Sequence, residues 1–275
     1  MAWSGTTLRA QPPGSAPGSA YSGGVHTTLL TQAAVRGANE DAGGVLGPVA
    51  VMLDGAGVPP RFRAGCVHDV AWFSHTLAGR LLIRAQDPSV PLRQALAAAI
   101  ADVRSLHEEQ CDLDRGGPSA TVVAVRWDAE HLEHLVLCDS SLLLESADGT
   151  TTRLSDPRVD DVAREEARSE AIEARRNAPG GFWVARHEPE AAEQALVGST
   201  PLRTLRAAHL VSDGITRAVD LLGMHDDASL ARALRVDPRS VLRELRRAEA
   251  DLPIGRRPRK VHDDATVLTL RPEGC

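Results

Sequence analysis

Residues 120–150 read ATVVAVRWDAEHLEHLVLCDSSLLLESADGT. Three apolar runs stand out in this stretch, Ala120 to Trp127, His131 to Cys138 and Ser141 to Ser146, and a fourth is expected beyond the Asp148-Gly149 turn. The breaks between them are two to four residues long. A parallel crossover needs about a dozen residues or more, so strands joined this tightly must run antiparallel. The reading places all four in one antiparallel sheet.

Moving outward, Val25 to Val35 is strand-like, and VLGPVAVMLD (45–54) reads as a second strand running into Asp54-Gly55-Ala56-Gly57. Arg63 to Ala85 and Leu92 to Glu109 have helical spacing. On the C-terminal side, 155–177 is strongly charged and helix-prone, and reads either as a solvated helix or as a flap over a site. A short helix near Glu188 to Ala195 and a strand from Leu205 to Ser212 follow. Helices are expected at about 216–222, 226–235 and 238–250, before a last strand, Ala265 to Leu270. Residues 1–24 are rich in Gly, Pro, Ser and Ala and read as a flexible leader. With no repeat and no linker beyond it, 25–275 is expected to form a single domain.

Composition narrows the function. The 275 residues are 43% hydrophobic and 25% charged, as in ordinary globular enzymes. No apolar run approaches the roughly 20 residues of a membrane span, and the N-terminus lacks the apolar stretch of a signal peptide. A cytoplasmic chain with no membrane partner is expected. Cys66, Cys111, Cys138 and Cys275 are scattered without a CxxC pair, which fits a reducing compartment better than a disulfide framework. The 37 acidic residues outnumber the 31 basic ones, for a net charge of −6, and aromatics make up 3%. Neither a nucleic-acid-binding field nor a base-stacking platform follows from that balance. Among the basic residues Lys260 is the only lysine.

Several familiar site patterns are missing. GxxxxGK[ST], GxSxG and HExxH do not occur, and no cysteine is followed six positions later by arginine, which excludes a cysteine-nucleophile phosphatase. His131 and His134 lie three apart in a strand, face opposite sides and read as structural. What remains is a set of aspartates at the ends of apolar strands: Asp54 after VAVML, Asp139 after HLVLC, Asp213 after HLVS, and Asp263-Asp264 before ATVLTL. Strand ends gather residues from distant parts of a chain at one sheet rim, where carboxylates repel unless a cation is present. Oxygen-only donors suit hard ions, Mg²⁺ or Mn²⁺.

The order of six segments adds more. They are Arg36-Gly37-Ala38-Asn39-Glu40-Asp41, Asp54-Gly55-Ala56-Gly57, Gly116-Gly117-Pro118-Ser119-Ala120-Thr121, Cys138-Asp139-Ser140, Ser212-Asp213-Gly214 and Asp263-Asp264-Ala265-Thr266-Val267. In that order and spacing, over roughly residues 25–271, they resemble the metal-dependent serine/threonine protein phosphatases of the 2C type, in their bacterial form. The resemblance implies an α+β fold, a four-layer α-β-β-α sandwich of two mainly antiparallel sheets flanked by helices. It implies two metal ions, Mn²⁺ or Mg²⁺, with Asp54 bridging both. Asp213 and Asp263 would complete one metal site, and Asp41 with the Gly55 carbonyl the other. Asp139 falls at the position of a third, weaker metal, Arg36 at that of the phosphate-binding arginine, and Glu40 and Asp264 beside the ligands, where they would orient metal-bound waters. The implied reaction is hydrolysis of phosphoserine and phosphothreonine in proteins by a metal-bridged hydroxide attacking phosphorus in line. The expected partners are phosphoproteins made by a serine/threonine kinase, and the expected state is a monomer.

The sequence departs from the family pattern at Val58, where a second glycine is usual, and at Cys138 and Ser141, where a glycine and an arginine are usual. Two alternatives therefore stand beside the leading reading: a catalytically weak pseudophosphatase acting as a binding or regulatory module, and a phosphatase for small metabolites.

Overall fold

The computed structural model describes residues 24–34, 39–56, 59–256, 258 and 260–273. The expected leader, apart from Gly24, lies outside them, as do Arg36, Gly57 and Val58. Two five-stranded sheets form the centre, and every pairing in them is antiparallel. The first has the order β1 (Val25–Gln32), β10 (Ala265–Pro272), β9 (Leu205–Val211), β6 (Ser141–Ser146), β7 (Thr151–Leu154). The second runs β2 (Ala42–Leu46), β3 (Val49–Gly55), β4 (Ala120–Trp127), β5 (His131–Leu137), β8 (Leu196–Pro201).

The alternation of side chains explains the layers. On β3 and β4, Val49, Val51, Leu53, Val122 and Ala124 point away from the first sheet. They pack against Phe73, Leu77 and Leu81 of α1 (Val70–Arg84) and Leu96, Ile100 and Val103 of α2 (Leu92–His107). The intervening residues Ala50, Met52, Val123 and Val125 meet Leu142, Leu144, Leu210, Leu268 and Leu270 between the sheets. On the far side, Leu143, Val211 and Val267 pack under α5 (Asp213–Asp220), α6 (Asp227–Val236) and α7 (Pro238–Asp251). Central strands apolar on both faces are what a four-layer sandwich demands, and each large side chain buried this way contributes about 1.5–3 kcal/mol.

Four expectations change. The four runs of 120–154 do not share one sheet: β4 and β5 belong to the second, β6 and β7 to the first. The chain changes sheets at Cys138, whose φ of +71° turns it sharply between β5 and β6. The run 45–54 is not one strand but the end of β2, a turn with Gly47 at φ +54°, and β3. Helix α1 starts at Val70 rather than Arg63, because the Asp69 carboxylate caps it by accepting from the Trp72 amide. Strand β8 went unforeseen: it lies at a sheet edge and four of its six residues are exposed, so burial left little pattern to read. The charged stretch 155–177 forms α3 (Arg158–Glu165) and α4 (Ser169–Ala174), which pack Val159, Val162 and Ile172 on Cys138, Phe182 and Val184.

Candidate metal centre at the sheet rim

In antiparallel sheets one rim collects the end of each strand and the start of its neighbour. Asp54 pairs with Thr121 at the end of β3 and the start of β4, and β10 begins beside the end of β9. Asp139 follows β5, Asp213 opens α5 directly after β9, Asp263 and Asp264 precede β10, and Glu40 and Asp41 precede β2. Distant parts of the chain therefore meet at one cavity of about 540 Å³, whose lining includes Glu40, Asp54, Gly55, Asp139, Asp213 and Asp263. Asp41 is not part of that lining and is only 2% exposed.

Packing holds these positions tightly. A Cβ at Gly55 would lie 2.5 Å from Val70 Cγ1 and 2.7 Å from the Glu40 carbonyl oxygen. At Gly214 a Cβ would strike the Asp264 carbonyl, so the start of α5 can sit on the residue just before β10 only with glycine there. The Asp213 amide donates to Asp54 Oδ2 at 3.3 Å. Asp264 anchors the backbone: its carboxylate accepts from the amides of Ala34 (2.6 Å) and Glu40 (2.7 Å), which holds both ends of the segment between β1 and β2.

The electrostatics are those of a site short of positive charge. Burial raises Asp41 to about 7, with the Thr266 and Ser212 hydroxyls opposing the shift, yet neither carboxylate oxygen has a partner within hydrogen-bond geometry. Burial first, then the charges of Asp213, Asp41 and Asp139, drives Asp54 well above its ordinary range. Burial and Asp263 raise Asp213, and burial and Asp213 raise Asp139 to about 6. Burial likewise raises Glu40. Like charges crowded in a low-dielectric pocket oppose one another's ionisation, and divalent cations would relieve all of them together. The oxygen-only donor set and the unpartnered oxygens of Asp41 fit hard divalent ions.

Sequence reasoning missed four residues here. Arg217, one turn along α5 from Asp213, donates to Asp263 Oδ2 at 2.6 Å, and Lys260 Nζ lies 3.0 Å from Asp263 Oδ1. Burial pushes Lys260 down, but Asp263 and Glu40 more than offset it, leaving the ammonium above its ordinary value. Glu249 of α7, fully buried, accepts from Arg217 (3.1 Å), Arg246 (2.9 Å) and His262 (2.7 Å), tying the segment that carries Asp263 to two helices. Arg176 lines the cavity beside Phe182 and donates to Glu173 at 2.8 Å. Lys260 had a visible signal as the only lysine of the chain; Glu249 had none, being one of many acids on a charged helix.

A profile described as Protein phosphatase 2C matches residues 26–248. The chain belongs to the protein phosphatase 2C family. Solved structures agree on the fold. PppA of Pseudomonas aeruginosa, described as a key regulatory component of T6SS, is 19% identical with a TM-score of 0.58, covering 90% of this chain and 97% of its own. The serine/threonine phosphatase PstP/Ppp of Mycobacterium tuberculosis is 17% identical with a TM-score of 0.60, covering 90% and 98%. Stp1 of Staphylococcus aureus is 16% identical with a TM-score of 0.58, covering 91% and 96%. A PstP catalytic domain in complex with two manganese ions, 16% identical with a TM-score of 0.58, covers 90% and 98%. No curated protein matches the chain. Membership of the protein phosphatase 2C family makes metal-dependent phosphatase chemistry the activity at family level, and among the described residues no helix is long and apolar enough to cross a membrane.

Proposed function

We propose that the chain hydrolyses phosphoserine and phosphothreonine esters in proteins, using two Mn²⁺ or Mg²⁺ ions held at the sheet rim. The observation that carries this reading is the buried Asp41, both of whose oxygens lack a partner, together with Asp54 and Asp139, whose carboxyls are raised by burial and by the neighbouring charge of Asp213. In this proposal Asp54, Asp213 and Asp263 would hold one ion, and Asp54, Asp41 and the Gly55 carbonyl the other. Asp139 serves a third ion. Bound ions would acidify water and take up charge on the phosphoryl oxygens. Asp264 anchors the amides of Ala34 and Glu40, and Arg36, which falls at the family's phosphate-binding position, is proposed to take the substrate phosphate. The segment 155–177 and Pro59-Pro60 both contribute to the cavity wall, through Val159, Arg176 and the two prolines. Cytoplasmic phosphoproteins are the proposed substrates, and the chain is proposed to act as a monomer.

One observation favours the binding-module alternative. Both oxygens of Asp263 are engaged by cations, Arg217 and Lys260, and a metal must compete with them. Hydrolysis of a phosphothreonine peptide, with Mn²⁺ and with EDTA, separates the two. Turnover that needs Mn²⁺ and vanishes with chelator is the expected result. No turnover at any Mn²⁺ concentration assigns the fold to binding, and full activity in EDTA removes the metals from the reaction.

A further inference from the structure

On the outer side of the second sheet a second cluster of metal-binding side chains forms, made from two pairs of residues at least 39 positions apart in sequence. Cys66 and His68 lie in the turn that leads into α1, and His107 and Cys111 at the end of α2 and in the loop beyond it. Cys66 Sγ is 3.3 Å from Cys111 Sγ, 3.3 Å from His107 Nδ1 and 3.6 Å from His68 Nδ1, and Cys111 Sγ is 3.6 Å from His68 Nδ1. Among the described residues this is the group of three or more Cys, His, Asp or Glu whose ligand atoms all lie within 4.8 Å of one another; the rim aspartates are not packed so closely.

Those separations approach the edges of a tetrahedron around one soft ion, with the two sulfurs at 3.3 Å a few tenths of an ångström closer than a bound ion would set them. With Zn–S near 2.3 Å and Zn–N near 2.0–2.1 Å, tetrahedral angles place neighbouring ligands about 3.4–3.8 Å apart. A disulfide would need the sulfurs at about 2.05 Å, far closer than they stand. The surroundings hold the ligands in place. The indole of Trp72 stacks on the His68 ring at 3.9 Å and 29°, and His107 is 1% exposed. The Asp112 amide donates to the Gly65 carbonyl at 2.8 Å, and a Cβ at Gly65 would collide with the Asp112 carbonyl, so the two loops touch backbone to backbone. Two thiols and two imidazoles form a donor set that prefers zinc over the Mn²⁺ or Mg²⁺ suited to carboxylates.

We propose that Cys66, His68, His107 and Cys111 bind one structural Zn²⁺ ion, which clamps the loop following Asp54-Gly55 to the end of α2. Both clamped loops lead to the rim: the Ala56 amide donates to the Ser119 carbonyl at 2.9 Å, and Pro59 and Pro60 wall the cavity. The inference does not depend on the rim being catalytic.

The full chain, purified without chelator, should carry one equivalent of zinc by elemental analysis. Replacing it with Co²⁺ should give the thiolate-to-cobalt charge-transfer absorption and the visible bands of a tetrahedral ion, which carboxylates at the rim cannot supply. Cys66→Ser combined with Cys111→Ser should lose the zinc equivalent and the charge-transfer band and lower Tm, while Asp54→Asn should keep the zinc equivalent and the band. Any of three outcomes overturns the proposal: wild-type protein giving no charge-transfer band with Co²⁺, a zinc content unchanged in the double variant, or a Cys66–Cys111 disulfide in the native protein, seen as a mass two hydrogens short that a reductant restores. Should the double variant fail to fold, the wild-type cobalt spectrum decides.

Discussion

Asp54 occupies the next-to-last position of β3, paired with Thr121, and its charge is opposed by three other aspartates. Asp54→Asn keeps the shape and removes the charge that two ions would share. The expected outcome is a kcat lower by orders of magnitude and weaker Mn²⁺ binding by calorimetry. The metal-free variant should have a higher Tm than metal-free wild type, since one of several repelling carboxylates is gone. Unchanged Mn²⁺ affinity would take Asp54 out of the site. Cys138 poses a different residue-scale problem. It holds φ +71°, a left-handed conformation that suits glycine, yet its thiol is buried against Val162, Phe182 and Val184. Cys138→Gly relieves the backbone but loses the packing, whereas Cys138→Ala loses packing and keeps the strain. The glycine variant should therefore be the more stable of the two by about 1 kcal/mol in urea denaturation.

At the scale of elements, β9 and α7 each carry a buried titratable group. His209 of β9 is fully buried, with Nδ1 2.9 Å from the Thr269 hydroxyl of β10, and burial, helped by Arg235, depresses its pKa to about 3. Between about pH 3 and 6.5 the unfolded chain takes up a proton there that the folded chain refuses, so this histidine stabilises the fold above pH 6.5 and less as pH falls. The stability difference between wild type and His209→Gln should accordingly move against wild type from pH 6.5 to 4; a difference that stays constant over that range would show that His209 titrates normally. On α7, Glu249 accepts from Arg217, Arg246 and His262 with no exposure to solvent. Glu249→Gln removes the carboxylate shared by Arg217, Arg246 and His262 while Arg217 keeps Asp263, a loss of roughly 1.5–3 kcal/mol. It should also weaken Mn²⁺ binding, because Arg217 and the segment before β10 position Asp263. A variant with wild-type stability and affinity would reduce Glu249 to a bystander.

For the molecule as a whole, the raised pKa values at the rim set how stability varies with pH. Asp41, Asp54, Asp139 and Asp213 all have folded pKa values above those of the unfolded chain, about 7 for Asp41 and about 6 for Asp139. At these four positions the folded chain thus binds more protons than the unfolded one from about pH 4 upward, and the metal-free rim costs increasing stability as pH rises toward 7. Divalent ions remove that cost by binding the ionised form. The rise in Tm produced by saturating Mn²⁺ should therefore be small at pH 5 and large at pH 8. A Tm gain independent of pH would place the ions elsewhere than on these carboxylates.

Much of this was already written in the chain. Runs of alternating or continuous apolar residues identify β4, β5, β6, β9 and β10, because the pattern depends on which face each residue buries and that is local. The order of short acidic and glycine motifs from Asp41 to Asp264 determined the family and nominated the rim aspartates, since strand ends are readable as the last apolar residue before a turn. What tertiary structure decided was anything that depends on partners distant in sequence. The short connections of 120–154 establish antiparallel neighbours but not which sheet each strand joins; the left-handed Cys138, which carries the chain from one sheet to the other, is marked only by the family's usual glycine at that position, since cysteine itself signals no such conformation. Asp263 is held by Arg217, Lys260 and, through Arg217, Glu249, a network assembled only when α5 and α7 pack on the first sheet. The Cys66, His68, His107 and Cys111 cluster escaped notice for the same reason: no short motif joins its halves, and only the packing of α1 beside α2 on the second sheet brings two thiols and two imidazoles within reach of one ion.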